Sequence, residues 1–171
     1  MLEELLTEKG FGDAPHAKQS RALNAFYAIT QKNWLLEDDA YRVLDALKLM
    51  GLKLALISNA ADDADVQALI DKYRLHHYFE FIRSSAKAGY RKPHAYIFRE
   101  ALSAMKLFPE QCIMVGDTLD ADILGANKLD IYSIWINRRV NKGTRTLQDI
   151  HPKAIIEELS ELPKLILELS H

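Results

Sequence analysis

Residues 112–126 read Cys-Ile-Met-Val-Gly-Asp-Thr-Leu-Asp-Ala-Asp-Ile-Leu-Gly-Ala, and the fold is read outward from them. Ile113, Met114 and Val115 make a short apolar run without polar interruption, as expected of a parallel strand buried on both faces. The run stops at Gly116-Asp117, and from Asp122 the pattern turns helical. Carboxylates between a strand and a helix lie at the carboxyl edge of a sheet, where open α/β folds bind their ligands. Asp117 and Asp122 on one turn repel each other unless positive charge sits between them. A hard divalent cation such as Mg2+ would meet that need. The alternative is that Asp122 caps its helix and Asp117 is a solvated turn residue.

The same alternation recurs on either side. Ala40, Val43, Leu44, Leu47 and Met50 form one helical face, with Asp38 and Asp39 at its start and Gly51 closing it. Leu52 to Ile57 reads as a strand and runs directly into Ser58-Asn59-Ala60. Asp62, Asp63 and Asp65 open a second helix carrying Val66, Leu69, Ile70 and Tyr73. Phe79 to Ile82 is a shorter strand, and a helix from Ala95 to Met105 follows Lys92-Pro93. Beyond the quoted stretch come strands at Ile131–Ile136 and Ala154–Ile156, then a closing helix from Leu159 to Leu169. Strands alternating with helices specify an α/β fold with a parallel sheet and right-handed crossovers. Before all this, residues 1–33 read as two helical stripes broken at Gly10–Pro15, with nothing that suggests catalysis.

A chain of 171 residues suits one domain, or one domain with a small appendage. The net charge of −2 supplies no field to recruit nucleic acid or an anionic membrane. No apolar run approaches the ~20 residues that a membrane-spanning helix needs. The single cysteine, Cys112, excludes an internal disulfide and reads as a packing residue. Together with the lack of a signal peptide it points to a reducing, cytoplasmic setting. His76, His77 and His94 read as surface residues. Arg138, Arg139, Lys142 and Arg145 read as a solvated basic loop, and Trp34 and Trp135 as packing residues.

Polar groups from three places converge on one rim. Ser58 and Asn59 end one strand, Asp117 ends another, and Lys92 stands at the start of a helix. A hydroxyl and free backbone N–H groups after a strand make a seat for phosphate oxygens. A lysine reaching the same rim supplies a point charge for a phosphate or a developing oxyanion.

In these residues the chain resembles the haloacid dehalogenase-like hydrolase superfamily, in its phosphatase-rich branch with a small helical cap. Leu54-Ala-Leu-Ile-Ser58-Asn59-Ala60 is similar to the family's second motif, whose Ser or Thr holds the phosphoryl group. Arg91-Lys92-Pro93-His-Ala-Tyr-Ile-Phe98 resembles the third, with Lys92 as the charge-stabilising lysine. Val115-Gly116-Asp117-Thr-Leu-Asp-Ala-Asp122 resembles the fourth, the acidic magnesium motif. The resemblance implies Asp117 as a metal ligand, Asp122 as a second ligand or its water-mediated support, and Mg2+ as cofactor. It covers residues 34–169 and implies a three-layer, Rossmann-like α/β core over 34–171, with residues 1–33 as the remnant of a helical cap.

One departure outweighs the matches. The family's first motif is an apolar strand ending in Asp-x-Asp, whose first aspartate is the nucleophile. The two Asp-x-Asp candidates here are Asp63-Ala-Asp65, at a helix start, and Asp120-Ala-Asp122, inside the fourth motif. Neither follows an apolar strand of its own. By resemblance the absent strand belongs at the centre of the sheet, between those ending at Ser58 and Asp117. Two inner edges are then left unpaired. The expectation is a shortened form of a Mg2+-dependent phosphatase of a small phosphorylated metabolite. Its Lys92 and Ser58 remain, but its aspartyl-phosphate route is closed. The expected partners at the open edge are a second copy or a complementing N-terminal fragment. The alternatives are a non-catalytic module that binds phosphate or a partner, a product without function of its own, and, for the complete protein, a dehalogenase.

Overall fold

The computed structural model describes residues 35–138 and 150–170. The helices read over residues 1–33, Trp34, and the loop residues Arg139, Lys142 and Arg145 lie outside the described residues.

Helix α1 (Ala40–Leu49) buries Ala40, Val43 and Leu47 and ends at Gly51, whose φ of 75° suits a residue without a Cβ. Asp39 does not cap its own helix. Its Oδ2 accepts the Ser160 N–H at 2.9 Å instead, which ties α1 to the C-terminal segment. Strand β1 (Ala55–Ser58) leads to helix α2 (Asp63–Lys72), where the Asp62 side chain accepts the Ala64 N–H as a true N-cap. Strand β2 (Phe81–Ser84), the short helix α3 (Ser85–Ala88) and helix α4 (Ala95–Met105) follow. Strand β3 (Ile113–Gly116) passes through a π turn at Leu119–Ile123 into helix α5 (Leu124–Asn127). Strands β4 (Tyr132–Ile136) and β5 (Ala154–Ile156) and helix α6 (Leu162–Leu169) complete the described order.

Two strands sit later in the chain than hydrophobicity alone suggests. β1 begins at Ala55 rather than Leu52, and β2 at Phe81 rather than Phe79. β2 also carries polar residues that an apolar pattern cannot reveal. Arg83 pairs with Glu100 of α4 at 2.7 Å, and the buried Ser84 donates to Asp63 of α2 at 2.7 Å. These partners come from distant sequence, so the strand was read two residues too early.

All pairings are parallel, but the strands form two sheets. β1 pairs with β2 in the register Ala55↔Phe81 to Ser58↔Ser84. β3, β4 and β5 make the second sheet, with Ile113↔Tyr132 and Ile134↔Ala154 in register. β1 and β3 are not paired with each other.

Helices cover both faces. On one side, Val43 and Leu47 of α1 and Leu162 and Ile166 of α6 pack with Ile134 and Ile156, with Leu54 and Val115 against them. On the other, Ile97 and Phe98 of α4 pack with Ala126 of α5 and Ile131, with Ile57 and Met114 against them. Neighbouring residues Met114 and Val115 thus face opposite layers, the period-2 behaviour of a strand buried on both faces. Among the described residues no helix is long and apolar enough to cross a membrane.

Candidate active site

Lys92 is the centre of the polar rim. Its backbone is clamped by the Asn59 side chain: the amide Nδ2 donates to the Lys92 carbonyl at 3.0 Å, and Oδ1 accepts the Lys92 N–H at 2.8 Å. The following peptide, Lys92-Pro93, is cis. From this anchor the side chain turns inward, and Nζ donates to the Ile57 carbonyl at 3.0 Å. Nζ also lies 2.7 Å from Asp122 Oδ1, and the two side chains keep only 10% and 6% of their exposure. An ammonium taken out of water costs several kcal/mol unless a carboxylate and further acceptors compensate it. Here both do. The Nζ–Oδ1 contact is an ion pair without the alignment of a hydrogen bond, so Oδ1 has no directed donor among the described residues.

The turn after β3 holds Asp122 by its other oxygen and by its backbone. Oδ2 accepts the Thr118 N–H at 3.1 Å. The Thr118 carbonyl in turn receives the N–H groups of Asp122 (2.7 Å), Ala121 (3.3 Å) and Ile123 (3.4 Å). That last, longer-range bond makes the turn a π turn, a local geometry frequent at functional sites. Ile123, with none of its surface exposed, anchors the turn in the core. Gly116 is required by the same arrangement, since a Cβ there would overlap the Asp122 side chain.

Asp117 is exposed, and its carboxylate accepts the Thr118 hydroxyl at 3.1 Å. Its carbonyl accepts the Trp135 indole N–H from β4 at 3.0 Å. Ser58, next to the carbonyl that Lys92 engages, is half-buried, and its hydroxyl makes no hydrogen bond to another described residue.

Of the residues read from sequence, then, Lys92 touches both Asp122 and Asn59. Asp117 joins them through Thr118, and Ser58 through its neighbour Ile57. Asn59 spends its amide on the Lys92 backbone, which makes it a positioning residue in this arrangement. Lys92 precedes α4 rather than starting it; the helix is capped by His94, whose Nδ1 accepts the Tyr96 N–H at 3.2 Å. The other histidines stay apart: His76 pairs with Asp71 at 2.8 Å, and His77 lies against the Tyr78 ring. Trp135 and Thr118 escaped the sequence reading. Thr118 follows Asp117 directly and could have been found, whereas Trp135 reaches the turn only because β4 pairs beside β3.

Loss of the clamp is the first expected result. Asn59→Ala removes two hydrogen bonds and should cost about 1–3 kcal/mol in urea unfolding. A cost indistinguishable from zero would show that Lys92 is positioned by other means.

Asp117 and Asp122 offer hard oxygen donors of the kind Mg2+ prefers. Asp122, however, is already engaged by Lys92 and Thr118, and among the described residues no three His, Cys, Asp or Glu side chains could enclose a metal ion. Asp117 is then the carboxylate of the pair left for Mg2+, with waters to complete the shell, which makes this turn a weak seat for the ion. Mg2+ added to the chain should therefore leave its thermal midpoint unmoved, because an ion raises stability only in proportion to its binding of the folded state.

A family model described as haloacid dehalogenase-like hydrolase matches residues 2–130. The haloacid dehalogenase-like hydrolase domain-containing protein 3 of Xenopus laevis is 33% identical over 138 residues, covering 80% of this chain and 55% of that protein. The glyceraldehyde 3-phosphate phosphatase of Methanothermobacter thermautotrophicus is 31% identical over 122 residues, covering 70% and 54%. The chain thus spans about half the length of these relatives. Among solved structures, the putative HAD-hydrolase YfnB from Bacillus subtilis superposes with a TM-score of 0.76 at 21% identity, over 96% of this chain and 69% of that one, which supports the fold. Taken with the two-faced parallel sheets and the Lys92–Asp122 edge, these matches lead to one conclusion: the chain belongs to the haloacid dehalogenase-like hydrolases.

Proposed function

We propose that Ser58, Lys92 and the acids Asp117 and Asp122 form the phosphate-handling edge of a phosphatase, and that this chain alone binds phosphate without hydrolysing it. The observation that carries the reading is the Lys92 ammonium, which reaches the carbonyl of Ile57, the residue before Ser58 at the end of β1, and the Asp122 carboxylate. The hydroxyl and the N–H groups that follow β1 suit phosphoryl oxygens. Lys92 would balance charge building on those oxygens. It is shared with Asp122, so a phosphate must compete for it.

Hydrolysis through a covalent intermediate needs a carboxylate in line with the phosphorus. Among the described residues Asp63 and Asp65 lie in the first turn of α2, and Asp120 is exposed on the π turn. None of them follows a strand of its own. A complete enzyme would add that carboxylate, which would also serve as the further ligand a magnesium site needs. Its substrate would be a small phosphorylated metabolite, as the name of the archaeal relative indicates for that protein. In this reading residues 1–33 are the remnant of a cap, residues 34–171 the core, and the setting is the reducing cytoplasm that suits a lone thiol.

Titration of the chain with inorganic phosphate, followed by calorimetry, tests the reading. Binding should be measurable in the unmodified chain and markedly weaker in Ser58→Ala. Equal binding by both proteins would contradict it.

A further inference from the structure

Tyr90, His94 and Tyr96 bring three aromatic rings together on the segment that carries Lys92. The His94 N–H donates to the Arg91 carbonyl at 2.9 Å, and this turn folds the residues on either side of Lys92 towards each other. The Tyr90 ring stacks on the His94 imidazole, with centroids 4.3 Å apart and planes 20° from parallel. The Tyr96 ring meets the same Tyr90 ring at 4.8 Å and 40°. Ring contacts at such distances are favourable, so the three rings hold one another in place. His94 is fixed a second time, because its Nδ1 accepts the Tyr96 N–H at 3.2 Å and caps α4.

The cluster is not part of a core. Tyr90 and Tyr96 keep 45% and 47% of their exposure, and His94 is exposed as well. Neither tyrosine hydroxyl makes a hydrogen bond to another described residue. Single exposed rings are ordinary on a protein surface, but here three of them share one patch. Asn59, the residue after Ser58, clamps the Lys92 backbone by two hydrogen bonds, so the patch belongs to the segment held at the carboxyl end of β1. Tyr90 and His94 each stand two residues from Lys92, which keeps their Cα atoms within about 7 Å of its own.

We infer that this patch is a stacking platform for the organic part of the ligand, and that the ligand is a phosphomonoester whose ester group carries a planar aromatic ring. The inference rests on the phosphate-handling reading of Ser58 and Lys92, and adds which phosphate ester that edge prefers. A planar ring laid on the tyrosines sheds water and meets ring faces already held in place. A saturated ring of similar size gains from the buried area alone. A small ligand suits the patch better than a protein does, because three side chains fall far short of the roughly 800 Å2 per partner that a stable protein interface buries.

Calorimetry on the unmodified chain, comparing phenethyl phosphate with its saturated analogue cyclohexylethyl phosphate, tests the inference. The aromatic ester should bind about three to ten times more tightly. Tyr90→Leu, and separately Tyr96→Leu, should bring that ratio close to one, since leucine keeps apolar bulk and removes the flat face. Tyr96 is exposed on α4, where leucine is a good helix former, so this second variant should fold even if the first does not. Equal binding of the two esters by the unmodified chain, with inorganic phosphate still bound, would overturn the platform and leave the phosphate reading standing. An aromatic preference that survives in both leucine variants would overturn it as well. So would self-association of the unmodified chain that Tyr90→Leu abolishes, because the rings would then serve a protein contact. Failure to bind either ester or inorganic phosphate would remove both readings.

Discussion

Lys92→Met should lower the stability of the chain by about 3–5 kcal/mol, because it leaves the Asp122 carboxylate buried without its counter-charge. Asp122 keeps only 6% of its side-chain exposure, so water cannot replace the ammonium without the turn opening. The loss should appear as a lower urea midpoint at neutral pH. The double variant Lys92→Met with Asp122→Asn should recover much of it, since a neutral amide needs no counter-ion and still accepts the Thr118 N–H. A non-additive cycle of this kind is the signature of a coupled pair. If the single and double variants proved equally unstable, Lys92 would be contributing through its stem and the Ile57 carbonyl rather than through Asp122.

Phe98→Ala should cost about 3 kcal/mol or more, the usual penalty for emptying a buried aromatic site. Phe98 is 2% exposed and borders an apolar cavity that Ile57, Met114 and Cys112 also line, but its ring also packs on Gly125 of α5 and close to Pro93. It therefore joins the loop carrying Lys92 to the helix that follows the acidic turn. A Cβ on Gly125 would overlap the ring, which explains why glycine occupies that helix position. The substitution should lower the urea midpoint and also speed alkylation of Cys112, by enlarging the cavity that both residues line. A stable protein with unchanged Cys112 reactivity would mean that the two helices are held together elsewhere.

Much of this architecture was legible in the sequence, for identifiable reasons. The uninterrupted run Ile113–Val115 marked a strand, and Val115 and Met114 do face different helical layers, but the strand is only partly buried and Ile113 is exposed. Gly51 marked a helix end, and Asp62 a helix start. Ser58 was read at the end of one strand and Asp117 at the end of another, and the structure ends β1 at Ser58 and β3 at Gly116, just before Asp117. What sequence could not show depends on contacts made across the fold. Asn59 reads as a phosphate-binding residue beside Ser58, and sequence gives no sign that its amide also clamps the backbone of a residue 33 positions away. Trp135 reads as packing, but the pairing of β4 with β3 delivers its N–H to the Asp117 carbonyl. β2 ended late because Arg83 and Ser84 find Glu100 and Asp63 on other elements.

The most direct measurement is the hydrolysis of p-nitrophenyl phosphate by the unmodified 171-residue chain in the presence of Mg2+. With the proposed phosphate seat and two acids but, among the described residues, no carboxylate placed in line to attack, the chain should release no nitrophenolate above the buffer rate. Clear turnover that disappears in Asp117→Ala would contradict the account, because it would mean that a nucleophile already stands in the site.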